Sequence, residues 1–154
     1  MKHLKITKAK PNPVGKDRFP GDIPAAQLGA EWVEFENDGD EPFILNNVAE
    51  LNHWAYTSVG ERWEPIITFD LVLGVGESAR VHSGAGPLEL LRSEDILGAD
   101  YHFFTGKGYV WNNDRMDKPA LWNLEASEWI DTTFYDAYPP EGTVLRRVGD
   151  KLIP

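Results

Sequence analysis

Apolar positions alternate with polar ones at the start of the chain, where Leu4 and Ile6 fall on one side of the stretch His3 to Lys8. The same period of two recurs in EWVEFE (Glu31 to Glu36), which sets Val33 and Phe35 opposite Trp32. It recurs in Ser78 to Ser83, where Ala79 and Val81 face one way. Strands send successive side chains to opposite faces, so this pattern predicts half-buried β-strands. Further candidates are Phe43 to Leu45, His53 to Ser58, Pro65 to Asp70, Tyr101 to Phe104, Ala120 to Leu124 and Trp129 to Phe134. NDGDEP (Asn37 to Pro42) and GVGE (Gly74 to Glu77) supply the turns, since Asp-Gly and Gly-rich pairs take up positive φ at little cost. Many short strands at close spacing predict an all-β, antiparallel sandwich or barrel.

Two segments interrupt this rhythm. Pro11 to Ala30 is rich in proline and glycine and reads as a long loop, unusual inside a compact domain. Leu88 to Leu97, LELLRSEDIL, is the one stretch with helical character, a short insertion between strands. The expected organisation is a β-sandwich over residues 1–137 followed by a linker and tail over 138–154. YPPEG (Tyr138 to Gly142) stops regular pairing, and TVLRRVGDKLIP (Thr143 to Pro154) carries Val144, Leu145, Val148, Leu152 and Ile153 as apolar anchors. That tail is expected to dock, either onto its own body or onto an edge strand of a second copy, which would make a homo-oligomer.

Composition narrows the function classes. The chain has 154 residues, enough for one domain that buries about 70% of its unfolded surface. Its 14 glycines and 11 prolines leave few windows for helices, and six tryptophans tilt it further toward sheet. A net charge of −10 disfavours nucleic acid and anionic membranes as partners, because both are bound through clustered Lys and Arg. With no cysteine, disulfides and thiolate chemistry are excluded. The N-terminus lacks the apolar run of a signal peptide, so the chain as written is expected to be cytoplasmic, or secreted if a longer precursor has been trimmed.

Motifs for chemistry are scarce. His3, His53, His82 and His102 stand apart in sequence without metal-ligand spacing, although His82 and His102 lie in strand patterns that could bring them together. HSGAGP (His82 to Pro87) and FTGKGYV (Phe104 to Val110) hold glycine pairs, but neither has a nucleotide-binding spacing, and both read as turns. The acidic run Asn37, Asp38, Asp40, Glu41 has oxygen ligands for calcium, yet lacks a helix–loop–helix frame and reads as a solvated turn. VWNNDRMDKPALWN (Val110 to Asn123) reads as a sheet corner, with Trp111 buried and the Asn side chains satisfying bent backbone. No catalytic, cofactor-binding or metal-ligating residue is expected.

Four blocks in order, PNPVGKD (Pro11 to Asp17), EWVEFEN (Glu31 to Asn37), RVHSGAG (Arg80 to Gly86) and YVWNN (Tyr109 to Asn113), resemble the lamin tail domain, a module that also occurs in many bacterial proteins. The resemblance spans Pro11 to about Tyr135. It implies an immunoglobulin-like β-sandwich with the Pro-Asn-Pro entry packed beside it, Trp32 and Trp111 as core or edge aromatics, and Asn112 and Asn113 as bend formers. It also implies an interaction domain rather than a catalyst. DRMDKPAL departs from the family's usual turn after the Asn pair, with only Asp117 matched, and Leu88 to Leu97 is an insertion relative to it. The sequence therefore predicts a non-catalytic binding module with a protein partner and no cofactor. The alternatives are a structural subunit of a larger bacterial assembly and a metal-assisted hydrolase built from the scattered histidines and carboxylates.

Overall fold

The computed structural model describes residues 1–16 and 18–154; Asp17, the last residue of the PNPVGKD block, lies outside the described residues. The chain is an all-β sandwich with two short helices. In chain order the elements are β1 (Lys5–Lys10), α1 (Ala25–Gly29), β2 (Trp32–Glu36), β3 (Phe43–Ile44), β4 (Ala49–Thr57), β5 (Gly60–Thr68), β6 (Val72–Leu73) and β7 (Ser78–His82). After a 3-10 turn at Leu88–Leu90 come α2 (Ser93–Ile96), β8 (Tyr101–Phe104), β9 (Ala120–Asn123), β10 (Glu128–Thr132), β11 (Leu145–Val148) and β12 (Lys151–Ile153). One sheet has the order β12-β11-β1-β2-β7-β8, the second β10-β9-β4-β5, and β3 pairs with β6 in a small ribbon.

Alternation decides which side of each strand meets the core. Ile6, Val33, Phe35, Ala79 and Val81 from the six-stranded sheet join Ala49, Leu51 and Leu121 from the four-stranded one in a single buried cluster. Phe69 ties the two together, edge-on to Phe35 at 5.2 Å and to Phe103 at 5.0 Å. The opposite, outward face of the six-stranded sheet carries two cross-strand rows, Lys8–Glu34–Arg80–His102 and Lys10–Trp32–His82–Phe104. This face is buried as well. Trp32 therefore lies outside the apolar core, whereas Trp111 belongs to it.

The cover over that face explains the one parallel pairing. β8 runs parallel to β7, so the chain must cross over between them, and the crossover carries the Leu88 to Leu97 insertion. The insertion expected as a single helix is broken in two, because Leu91 takes an extended conformation (ψ 159°) after the 3-10 turn. Its buried side chains are Leu91 and Asp95. Leu91 packs on Gly29 so closely that a Cβ there would come within 2.6 Å of it, which is why glycine closes α1. Asp95 accepts from Lys10 Nζ at 2.7 Å and Trp32 Nε1 at 2.9 Å, while Arg80 stacks on the Trp32 ring at 3.9 Å and donates to the Asp95 and Leu97 carbonyls.

Beneath the cover, His82 Nδ1 lies 2.7 Å from the Gly29 carbonyl and Nε2 lies 2.8 Å from His102 Nδ1. A carbonyl can only accept, so His82 donates from Nδ1 and receives the His102 proton at Nε2, with both rings neutral. Burial, assisted by His102 and Arg80 and opposed by the Gly29 carbonyl, lowers the His82 pKa to about 4.

The loops at one end of the sandwich converge on a buried ion pair. Glu31, fully buried, accepts from Lys16 Nζ at 2.5 Å, Ser83 Oγ at 2.5 Å, Val110 N at 2.7 Å and Trp111 N at 3.3 Å. Lys16 Nζ also donates to the Pro11 carbonyl at 2.8 Å and the Trp111 carbonyl at 2.5 Å. Burial raises the Glu31 pKa above its ordinary value even though Lys16 pulls it down. The two glycine-pair turns meet nearby, Gly84 N donating to Lys107 O and Gly106 N to Gly84 O.

The C-terminal segment, read from sequence as linker and tail, forms the β11–β12 hairpin and docks in cis: Lys8 and Ala9 of β1 pair with Arg146 and Leu145. Leu145 and Leu152 enter the core, and Arg147 forms a two-pronged ion pair with Asp131. Deleting Thr143 to Pro154 removes two core leucines and exposes β1 as an edge. The truncated chain is expected to melt at least about 10 °C lower; melting within about 2 °C of the parent would contradict this packing.

Acid should also weaken the fold through His82. The unfolded chain takes up a proton below about pH 6.5, while folded His82 stays neutral down to about 4, so stability falls across that window and no further below it. The loss is about 3 kcal/mol. His53, whose folded pKa is raised, has the opposite slope, so the readout is the difference between the parent and His82→Gln. That difference should narrow from pH 6.5 to 4 in urea melts; a constant difference would count against the neutral pair.

Candidate functional site

The stretch after β8 determines what the four-stranded sheet presents to solvent. β9 flanks β4 only from Ala49 to Asn52, and the upper half of β4 is flanked instead by the loop from Asn112 to Lys118. Asp117, fully buried, holds that loop in place. It accepts from the backbone N–H of Trp54 and Lys118 at 2.7 Å and of Asn112 at 3.0 Å, from the Asn112 amide at 3.0 Å, and faces His53 Nδ1 at 3.1 Å. Asn112 returns a bond to the Trp54 carbonyl, and the Tyr135 hydroxyl donates to the Asn112 carbonyl at 2.6 Å. Asn113 reaches Asn12 in the Pro-Asn-Pro entry. The acid of this polar stretch is thus used to satisfy backbone where a neighbouring strand is missing.

On the outward face of the same sheet stand four half-exposed tryptophans. Trp54 and Trp63 are directly opposite across the β4–β5 hairpin, and Trp122 and Trp129 across the β9–β10 hairpin. Their rings form a chain: Trp54 to Trp63 at 5.2 Å, Trp63 to Trp129 at 4.5 Å, and Trp129 to Trp122 at 4.7 Å. The two hairpins sit at opposite ends of the sheet order, so the chain closes across its middle, where Ala120 and Asn52 are small and buried. Two of these contacts, Trp54–Trp63 and Trp129–Trp122, are edge-to-face, a geometry worth about 0.5–1.5 kcal/mol each beyond area burial.

Polar groups border this surface. The Trp54 indole N–H donates to Glu61 at 3.1 Å, and Glu50 lies across from Trp122. Lys118 places its ammonium 4.0 Å from the Trp54 ring centre and 5.6 Å from that of Trp63, and Arg115 stacks on Tyr56 at 4.7 Å. Beside Trp63 opens a cleft of about 400 Å³, mainly apolar, bounded by Met116, Lys118, Thr132, Thr133, Phe134 and Asp150.

A second, more polar cleft of about 290 Å³ lies where His53 meets Glu64, Tyr56 and Tyr109. Burial works against protonation of His53, but Asp117 and Glu64 outweigh it and hold the pKa above its ordinary value. The remaining histidines are paired: His82 with His102, and His3 with Asp38 at 2.5 Å. In the acidic turn Asp40 meets the N-terminal ammonium, and Asn37 donates to the Glu41 and Leu73 carbonyls. Among the described residues no three His, Asp or Glu groups converge as a metal site.

Reading the sequence for chemistry passed over Trp54, Trp63, Trp129 and Lys118. A signal was present: Trp54 and Trp63 are equally distant from the Ser58-Val59 turn, as are Trp122 and Trp129 from their own turn, which places each pair face to face in a hairpin. No protein-family model matches the chain, and no curated protein matches it.

Proposed function

We propose that this chain is a non-catalytic binding module of the lamin-tail type, and that it takes a protein partner on the tryptophan face of its four-stranded sheet. The observation that carries the reading is the unbroken contact of Trp54, Trp63, Trp129 and Trp122 on an outward face. Tryptophan is the residue most enriched at binding hot spots, and a desolvated aromatic centre with a polar rim is the usual anatomy of such a surface. Here Glu50, Glu61, Arg115 and Lys118 form the rim. The contrast between the two outward faces supports the choice. That of the six-stranded sheet is roofed by α1 and the crossover, while that of the four-stranded sheet keeps its large apolar rings half exposed.

The lamin-tail part of the reading is supported by where the four similar blocks lie. Lys16 of the first, Glu31 of the second, Ser83 of the third, and Val110 and Trp111 of the fourth all meet at one carboxylate. Residues scattered along the chain that share a structural role would be expected to recur together. The structural-subunit alternative would use an edge strand. β5 is long and exposed, but Pro65 and the charges Glu61, Arg62 and Glu64 are the features that blunt edge-to-edge pairing.

The test replaces Trp63 and Trp129 together by serine, with Val148→Ser on the exposed C-terminal hairpin as control. Immobilised parent and control are expected to retain the same partner from an extract of the source organism, and the double variant to lose it while still unfolding cooperatively. Equal retention by the folded double variant would remove the tryptophan face from the function.

A further inference from the structure

Lys118 is one of several cations without a carboxylate partner among the described residues, and it is set apart by an ammonium placed over two indole rings. Lys8, Lys10, Lys16, Arg18, Arg62, Arg80, Arg147 and Lys151 each have a carboxylate partner. Lys118 has none among the described residues, and its ammonium rests only on the Trp54 and Trp63 rings. An ammonium has three N–H donors, and an indole face satisfies its charge but offers no oxygen acceptor. The position is also fixed: the residue before it is Asp117, which takes the Lys118 backbone N–H, and the residue after it is Pro119, which restricts its backbone to extended conformations.

Lys118 also lines the cleft beside Trp63, whose other walls include Met116 and Phe134. At about 400 Å³ the cleft is within the range of sites that enclose a small ligand or a few side-chain groups, roughly 300–1,000 Å³. Its other charge, Asp150, is not within ion-pair distance of Lys118 and would repel an anion from its own side. The arrangement is therefore polarised: apolar walls, a cation with open donors near Trp54, and a carboxylate elsewhere on the rim.

Resting on the tryptophan face as the binding surface, we propose that this cleft receives the C-terminus of a protein partner, its last apolar side chain between Trp63 and Phe134 and its α-carboxylate on Lys118. A C-terminal residue carries an apolar side chain and a carboxylate on the same Cα, so one residue combines apolar burial with a charge-assisted hydrogen bond, whereas an internal segment must draw its carboxylate from a separate Asp or Glu. Because the chain as a whole carries −10, long-range electrostatics oppose an anion, and recognition of the carboxylate rests on the local cation.

Two peptides test this, acetylated Gly-Gly-Gly-Phe with a free carboxylate and the same peptide as its C-terminal amide. Each is titrated into ¹⁵N-labelled protein while the indole N–H resonances of Trp54 and Trp63 are followed. The acid should move both resonances and bind at least about five-fold more tightly than the amide. That preference should vanish in Lys118→Met and persist in Lys118→Arg, which keeps the charge. Equal binding of acid and amide, a preference that survives in Lys118→Met, or no movement with either peptide would each overturn the proposal. None of these outcomes bears on the partner-retention experiment, which reads the tryptophan face independently of the carboxylate.

Discussion

A carboxylate buried with no access to water must be satisfied on every side, and in this chain Glu31 is that group. Glu31 directly precedes β2, and its partners come from three separate stretches: the entry segment through Lys16, the residue after β7 through Ser83, and the start of the corner loop through Val110 and Trp111. Removing one partner from such a buried pair costs about 3–5 kcal/mol, because the other charge is left without compensation. The pair does not have to add net stability to matter. It makes competing arrangements of the loops expensive, and this fixes the direction in which the chain leaves β7 and enters the corner before Asp117.

From that anchored corner the rest of the surface follows. Asp117 can flank β4 only if the loop returns along it, and once it does, Lys118 falls over Trp54 and Met116 falls beside Trp63. On the other side of the sandwich, Arg80 and Asp95 bind the crossover to the six-stranded sheet, and His82 ties the end of α1 to it. One outward face is consumed by internal hydrogen bonds and the other is left aromatic and half exposed. The division of labour between the two sheets is a consequence of which one the crossover covers.

Much of the fold was legible in the alternation. Val33, Phe35, Ala79 and Val81 point into the core as their spacing requires, and Tyr101 to Phe104 is a strand with the bounds expected. Boundaries slipped where polar residues fill a half-exposed strand: β4 begins at Ala49 and β5 at Gly60, because Glu50, Asn52 and Glu61 carry no apolar period on the outward side. The broken insertion was not legible, since its buried positions Leu91 and Asp95 have helical spacing even though the backbone between them is extended at Leu91. The site was less visible still. A tryptophan in a strand pattern reads the same whether it faces the core or solvent, and only pairing register places Trp63 against Trp129 across two intervening strands. The proximity of His82 and His102 was foreseeable as an option but not their hydrogen bond, which depends on a parallel pairing that local sequence does not encode.

The claim that the Glu31 anchor organises the molecule is tested most directly by a double-mutant cycle on Lys16→Met and Glu31→Gln, with unfolding free energies from urea melts at pH 7. The account predicts that each single variant loses several kcal/mol and that the double variant loses much less than their sum, with a coupling of at least about 2 kcal/mol. It also predicts that the Lys16→Met deficit shrinks toward pH 5, since the stranded carboxyl, already shifted upward by burial, can then take up a proton in the folded state. Losses that add within about 0.5 kcal/mol, with no change in the Lys16→Met deficit on acidification, would contradict it.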